Sequence, residues 1–287
     1  MDLLPTEFYE DLLLSVFSSY PDSTYTRISG TLGYCAKQLW EKASRKYVCI
    51  QHWTKISSIQ YYDLLFNRVQ PENVAQASKF RLKKNVCFDG SENSAASIDD
   101  KVKRQLENLL QEPGMLCLHL RSTKLNQTWV QLFSSWKSLN LVFVLDEFND
   151  LVYTLLKRLL DQKQLLRLSF DCAIPSSKEA DLICEILQQA QFQILCFADG
   201  SEEGVKNAIV SKWEKNKELF AGKRVQWKRF VKLHDNSFTR LKSMNASKLQ
   251  YRKENLLIEY YLNLDATNQT TDKVFMQDVA ASNLCFM

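Results

Sequence analysis

No C-x-x-C pair occurs in this sequence. Its eight cysteines (Cys35, Cys49, Cys87, Cys117, Cys172, Cys184, Cys196 and Cys285) are scattered along 287 residues, with only three histidines beside them. A disulfide framework or a zinc site needs clustered ligands, so neither is expected and no metal is assigned. Most of the cysteines lie inside apolar runs such as MLCLHL and FQILCF, where the thiol behaves as a small hydrophobe. A reduced compartment, cytoplasmic or nuclear, is the expectation. No run approaches the eighteen or so uninterrupted apolar residues of a membrane span, so no membrane partner is expected. The N-terminal apolar stretch is broken by Glu7, Glu10 and Asp11 and is unlike a signal peptide.

Catalytic patterns are equally scarce. LVFVLDEF (141–148) resembles a Walker-B strand ending in Asp146 and Glu147, but that chemistry also needs a phosphate-cradling G-x-x-x-x-G-K-[ST] loop. The nearest glycine pair, Gly30 and Gly33, is followed by YCAK and does not fit. The stretch therefore reads as a buried strand that meets solvent at an acidic turn. There is no G-x-S-x-G elbow, and His52, His119 and His234 have no spaced partners. Cys172 and Cys184 could act as nucleophiles only beside a base in an electropositive setting. The expectation is no enzyme, no catalytic residue and no cofactor.

What the sequence does contain is a globular composition, 45% apolar and 24% charged, with a formal charge of +4. The positive surplus is local: Ser201 to Glu254 holds fourteen Lys and Arg against six acids. Within it, KRVQWKRFVKLH (223–234) could place Lys228 and Arg229 on phosphates and Trp227 and Phe230 on bases. The same alternation makes a half-buried strand with Val225 and Trp227 inward, and this solvated-face reading is preferred to a nucleic-acid surface.

Periodicity predicts a helix over 5–20, a second over 31–46 and a helical turn in the connector DSTYTRIS, together a small module over 1–53. A less regular connecting segment covers 54–84. From 85 to 287, strand-like runs recur at 85–88, 115–120, 141–145, 166–170 and 192–197, with helical patterns between them. Steps of about 25 to 28 residues fall within the leucine-rich-repeat period. The fold class expected is α/β, a helical module followed by an irregular leucine-rich-repeat-like β–α stack, with a doubly wound sheet as the competitor. Beyond Gly200 the pattern predicts a helix in GVKNAIVSKWEKNKELF and strands in VQWKRFVKLHD and KENLLIEYYLN. The tail VFMQDVAASNLCFM is expected to form a short helix closing the stack.

On a helical wheel, Phe8, Tyr9, Leu12, Leu13, Val16, Phe17 and Tyr20 spread over about half the circumference, wider than one packed stripe needs. Such a surplus belongs either to a second intramolecular contact or to a partner. Residues 3–53 resemble an F-box: Leu4-Pro5 opens the helix, Glu7-Phe8 follows, then Leu12-Leu13 and Val16-Phe17, with Trp40 placed late. The chain as a whole is similar to the large nematode families of F-box-like proteins with a divergent leucine-rich or F-box-associated region. The resemblance implies a substrate-recruiting adaptor of a Skp-cullin-F-box ubiquitin ligase. In it, Leu4, Pro5, Phe8, Leu12, Leu13, Val16 and Phe17 would bind a Skp-type adaptor and the C-terminal domain would bind a target protein. The alternative is an interaction module with no ligase link. Gly30 and Gly33 depart from the F-box pattern. Each costs about 1 kcal/mol inside a helix, so a turn is expected there.

Overall fold

The structure, a computed structural model, describes residues 4–19, 23–51, 55–75, 81–90, 98–122, 124–198, 203–241, 247–262 and 279–287. The chain is mixed α/β and divides into two units, Met1–Leu132 with Ser138–Asn140, and Phe133–Lys137 with Leu141–Met287.

In the first unit, α1 (Thr6–Ser19), a 3-10 turn (Ser23–Arg27) and α2 (Gly30–Lys42) precede β1 (Ser44–Gln51), β2 (Lys55–Tyr62), β3 (Arg68–Val69) and α3 (Pro71–Ala75). Then come β4 (Arg81–Asp89), α4 (Asp100–Gln111), β5 (Met115–Leu120) and α5 (Gln127–Ser134). The strand order is β3-β2-β1-β4-β5. The β1–β2 and β2–β3 pairs are antiparallel, while β1–β4 and β4–β5 are parallel.

Two expectations are corrected here. The second helix stops at Lys42, and the residues that follow enter the sheet. Arg45 and Lys46 gave SRKYVCIQ the look of a charged helix end, yet both are buried. Lys46 pairs with Glu112 at 2.5 Å, and the Arg45 guanidinium lies 4.0 Å from the Phe66 ring centre. The helix also runs through Gly33 instead of turning there, and the position requires glycine, because an added Cβ would meet the Ile28 carbonyl oxygen at 1.6 Å. Gly30, with φ of +79°, does make the turn, at the helix start. The boundary read at 84/85 falls inside β4, and the one at 53/54 lies between β1 and β2 in residues outside the described set.

The second unit takes Phe133–Lys137 from the end of α5 and resumes at Leu141 within β6 (Leu139–Val144), followed by α6 (Asp150–Gln162), β7 (Arg167–Phe170), α7 (Ser177–Leu187), β8 (Ile194–Phe197) and α8 (Glu203–Lys215). A 3-10 turn (Lys217–Phe220), β9 (Arg224–Trp227), β10 (Thr239–Arg240), β11 (Lys248–Lys253), β12 (Leu256–Leu262) and β13 (Val279–Phe286) complete it. Strands β6, β7, β8 and β9 are parallel neighbours in chain order. The order then runs β9-β13-β12-β11-β10, all antiparallel. Strand alternation puts Val142, Val144, Leu168, Phe170, Leu195, Phe197, Val225 and Trp227 on one buried face. There Phe170 stacks on Phe197 at 5.8 Å, and Phe197 on Trp227 at 5.6 Å.

Helix ends in this unit are tied to their predecessors. Gln162 Nε2 donates to the Ser134 carbonyl, Gln164 Nε2 to Trp136 O at 2.7 Å, and Gln189 Nε2 to Leu160 O at 2.5 Å. Helix starts are capped by Asn149, which accepts from Leu151 and Val152 N–H groups, and by Ser176, whose hydroxyl also donates to Glu179.

The tail is a strand, not the expected helix. VAASNLCF lies between β12 and β9, and pairing on both sides overrides the weak strand preference of its alanines. The strand expected over 225–235 stops at Trp227. Beyond it, the backbone donors of Val231 and Leu233 go to the hydroxyls of Ser282 and Tyr260, each at 2.9 Å, and the segment becomes a loop.

Candidate interaction surface

Helix α1 is amphipathic in two directions. Tyr9 and Leu13 are 4% and 2% exposed and join Cys35, Ala36, Leu39 and Ala43 in one cluster. Leu64, from the turn after β2, and Leu82, from β4, complete it, so the helical pair shares its core with the sheet of its own unit. A different side of the same helix carries Phe8 and Leu12 at i and i+4, and Leu4 lies just before the helix start. Leu4, Phe8 and Leu12 are 47%, 49% and 46% exposed, an apolar row facing solvent. Pro5 is exposed at the head of the row, and its carbonyl accepts from the Phe8 N–H at 3.1 Å. The exposed acids Glu7 and Asp11 border the row on one side.

Of the residues singled out by sequence, Leu4, Pro5, Phe8 and Leu12 therefore share one open surface. Leu13 belongs to the core, and the side chains of Val16 and Phe17 lie outside the described residues.

Sequence reasoning passed over a second apolar feature, the turn between β2 and β3. Asp63 organises it: one carboxylate oxygen accepts from Leu65 and Asn67 N–H groups at 2.9 and 2.8 Å, the other from Asn67 Nδ2 at 2.9 Å. Phe66 adopts a left-handed φ of +64°, and Leu65 and Phe66 both stand out into solvent. The Asp–Leu–Leu–Phe–Asn run carried the signal, since Asp and Asn flanking a short segment favour such side-chain-bonded turns.

The other candidates are placed as follows. Asp146 and Glu147 are exposed just beyond the end of β6. In the basic stretch, Trp227 is buried against Phe197 and offers no face to a base, while Lys228, Arg229 and Phe230 are exposed. Cys172 and Cys184 are buried, and burial pushes the Cys184 thiol up to about 12, opposite to a nucleophile's need. His52 lies outside the described residues. His119 Nε2 is 3.0 Å from Asn85 Oδ1, and burial lowers the imidazole to about 4. His234 stacks on Tyr251 at 3.9 Å, and its Nδ1 is 2.8 Å from the Tyr260 hydroxyl.

An open cleft of about 400 Å³ beside His234 is lined by Lys206, Trp213, Glu214, Phe238 and Lys253 among others. Lys206 is engaged by the Lys232 carbonyl at 3.1 Å, so this cation straps the 228–235 loop. Among the described residues no three His, Cys, Asp or Glu side chains converge in a way that could hold a metal. No described helix is long and apolar enough to cross a membrane. Comparison of the chain with protein-family models, with characterised proteins and with solved structures finds no match.

Proposed function

We propose that the chain is a non-catalytic adaptor that brings a target protein to a Skp-cullin-F-box type ubiquitin ligase. The exposed row of α1 docks on a Skp-type adaptor, and residues 85–287, as an irregular leucine-rich-repeat-like stack, hold the target. The observation that carries this reading is the row of Phe8 and Leu12, with Leu4 just ahead of the helix, left half open while Tyr9 and Leu13 meet the helix's core duties. Contiguous exposed apolar side chains of this kind mark interaction sites. The recurrence of strand, helix and glutamine tie about every 27 residues supports the stack. No bond is made or broken. The chain acts by raising the effective concentration of its target near a ubiquitin-charged enzyme.

The test is co-purification of the full chain with a Skp-type adaptor. Wild type is expected to bind, and Phe8→Asp with Leu12→Asp to weaken binding at least about 100-fold, the loss of about 3 kcal/mol expected when two interface anchors go. Because both side chains point to solvent, the thermal midpoint should stay within about 2 °C of wild type. Absence of wild-type binding, or equal binding by the double variant, overturns the adaptor reading.

A further inference from the structure

Three chain segments far apart in sequence bring sulfur and nitrogen side chains to one level of the first unit's sheet. The register sets Ser58 of β2 opposite Cys49 of β1, Cys49 opposite Cys87 of β4, and Cys87 opposite His119 of β5. Directly opposed residues in neighbouring strands project to the same face, so the four form a row across four strands. Cys87 is buried and Cys49 is half-buried. The two thiols are direct neighbours on adjacent parallel strands.

We propose that Cys49 is a site of reversible oxidation by peroxides, with Cys87 as the thiol that resolves it into a disulfide. The Cys49 thiolate attacks one oxygen of hydrogen peroxide. An S–O bond forms, the O–O bond breaks, and the departing hydroxide takes a proton and leaves as water. Cys87 then attacks the Cys49 sulfur: an S–S bond forms, the S–O bond breaks, and the leaving hydroxyl takes the Cys87 proton to become the second water. Two thiols lose two electrons and the peroxide gains them.

The surroundings favour this division of roles. The neighbouring Cys87 thiol is the main influence holding Cys49 down, to about 6, against burial; Ser58 and the Arg121 guanidinium act with it and Asp89 opposes. The neighbouring Cys49 sulfur and burial push Cys87 up, keeping its proton until the second step. His119, the remaining neighbour in the row, is kept neutral by burial and adds no charge. Cys285 is an internal comparison: it is half-buried like Cys49, but burial raises it to about 11.

The experiment is iodoacetamide labelling of the full chain at pH 6, read by peptide mass spectrometry. A thiol near 6 is half ionised there, whereas an ordinary thiol near 8.5 is below about 1%; lower nucleophilicity returns part of that gain, leaving roughly a ten-fold advantage. Cys49 is therefore expected to label about ten-fold faster than glutathione and faster still than Cys285. Hydrogen peroxide should yield a Cys49–Cys87 linked peptide pair that dithiothreitol separates. In Cys87→Ser the link should be replaced by a dimedone-trapped sulfenic acid on Cys49. Labelling of Cys49 no faster than Cys285, or a wild-type chain whose Cys49 and Cys87 peptides stay unlinked after peroxide, overturns the proposal without recourse to any variant.

Discussion

His119 shows how burial sets a single side chain's contribution. Asn85 donates through Nδ2 to the Lys46 carbonyl at 3.2 Å, which leaves its Oδ1 to accept from His119 Nε2. The bond places a proton on Nε2, and burial, helped by the Arg121 and Lys83 cations, lowers the imidazole pKa from 6.5 to about 4. The sign follows from which state takes up the proton first. The unfolded chain is protonated as pH falls below 6.5, and the folded one only near 4, so stability is full above 6.5 and lost between 6.5 and 4. The loss is at most about 3 kcal/mol. His119→Gln keeps a donor for Asn85 and removes the titration. In urea unfolding, the stability of wild type relative to this variant should fall by up to about 3 kcal/mol from pH 7 to pH 4. A difference independent of pH would show that His119 does not titrate on unfolding. Gly33 carries a similar lesson about competing magnitudes. Helix propensity penalises it by about 1 kcal/mol, but a Cβ 1.6 Å from the Ile28 carbonyl oxygen is sterically impossible, so contact decides.

At the scale of elements, strands with dense apolar runs were legible: β5, β6, β7 and β8 fall on the runs read from sequence. The helices α4, α6 and α7 were legible for the same reason, having apolar residues at helical spacing and clear caps. Strands β1, β11 and β13 were not, because their charged and small residues become buried only through partners elsewhere in the chain. The two-sided character of α1 was visible on the wheel. Which side faces inward was not, since Leu64 and Leu82 decide it from distant segments. One local signal was overlooked. Gln162-Lys163-Gln164 and Gln189-Ala190-Gln191 stand 27 residues apart, each before a strand, and in each the second glutamine donates to the first, at 2.6 and 2.7 Å. These glutamines bond carbonyls in the last turn of the preceding helix or just beyond it: Ser134, Trp136 and Leu160. Gln189→Ala should accordingly cost about 0.5–1.5 kcal/mol, the net worth of one hydrogen bond, since the Leu160 carbonyl keeps the Lys163 N–H. The exposed Gln105→Ala should stay within about 0.5 kcal/mol. Denaturant midpoints with unchanged slopes measure both, and equal effects would show that the Gln189 tie adds no stability.

At the scale of the whole molecule, the second unit changes from parallel to antiparallel pairing at β9, and β13 makes the change possible. The last strand in sequence lies between β9 and β12, hydrogen-bonding to both. Gly222 N–H donates to Phe286 O at 2.8 Å, Phe286 N–H to Lys223 O at 3.0 Å, and Met287 N–H to Asn255 O at 2.7 Å. On the buried face, Leu284 and Phe286 continue the core from Val225 to Ile258. The Ser282 hydroxyl holds the 228–235 loop by accepting from Val231 N–H and donating to Arg229 O, each at 2.9 Å. Removing β13 would bare two strand edges at once and unseat that loop. Losing the burial of Leu284 and Phe286 alone removes about 4–6 kcal/mol, comparable with the entire stability of many domains, and bare edges recruit other chains. A chain ended at residue 262 is therefore expected to elute as aggregate in size exclusion and to lack a cooperative thermal transition. Leu284→Ala, which keeps the pairing and loses only packing, should elute as wild type does and be about 2–4 kcal/mol less stable. A truncated chain that elutes without aggregate and unfolds cooperatively near the wild-type midpoint would mean that β9 and β12 do not depend on β13 for their place in the sheet.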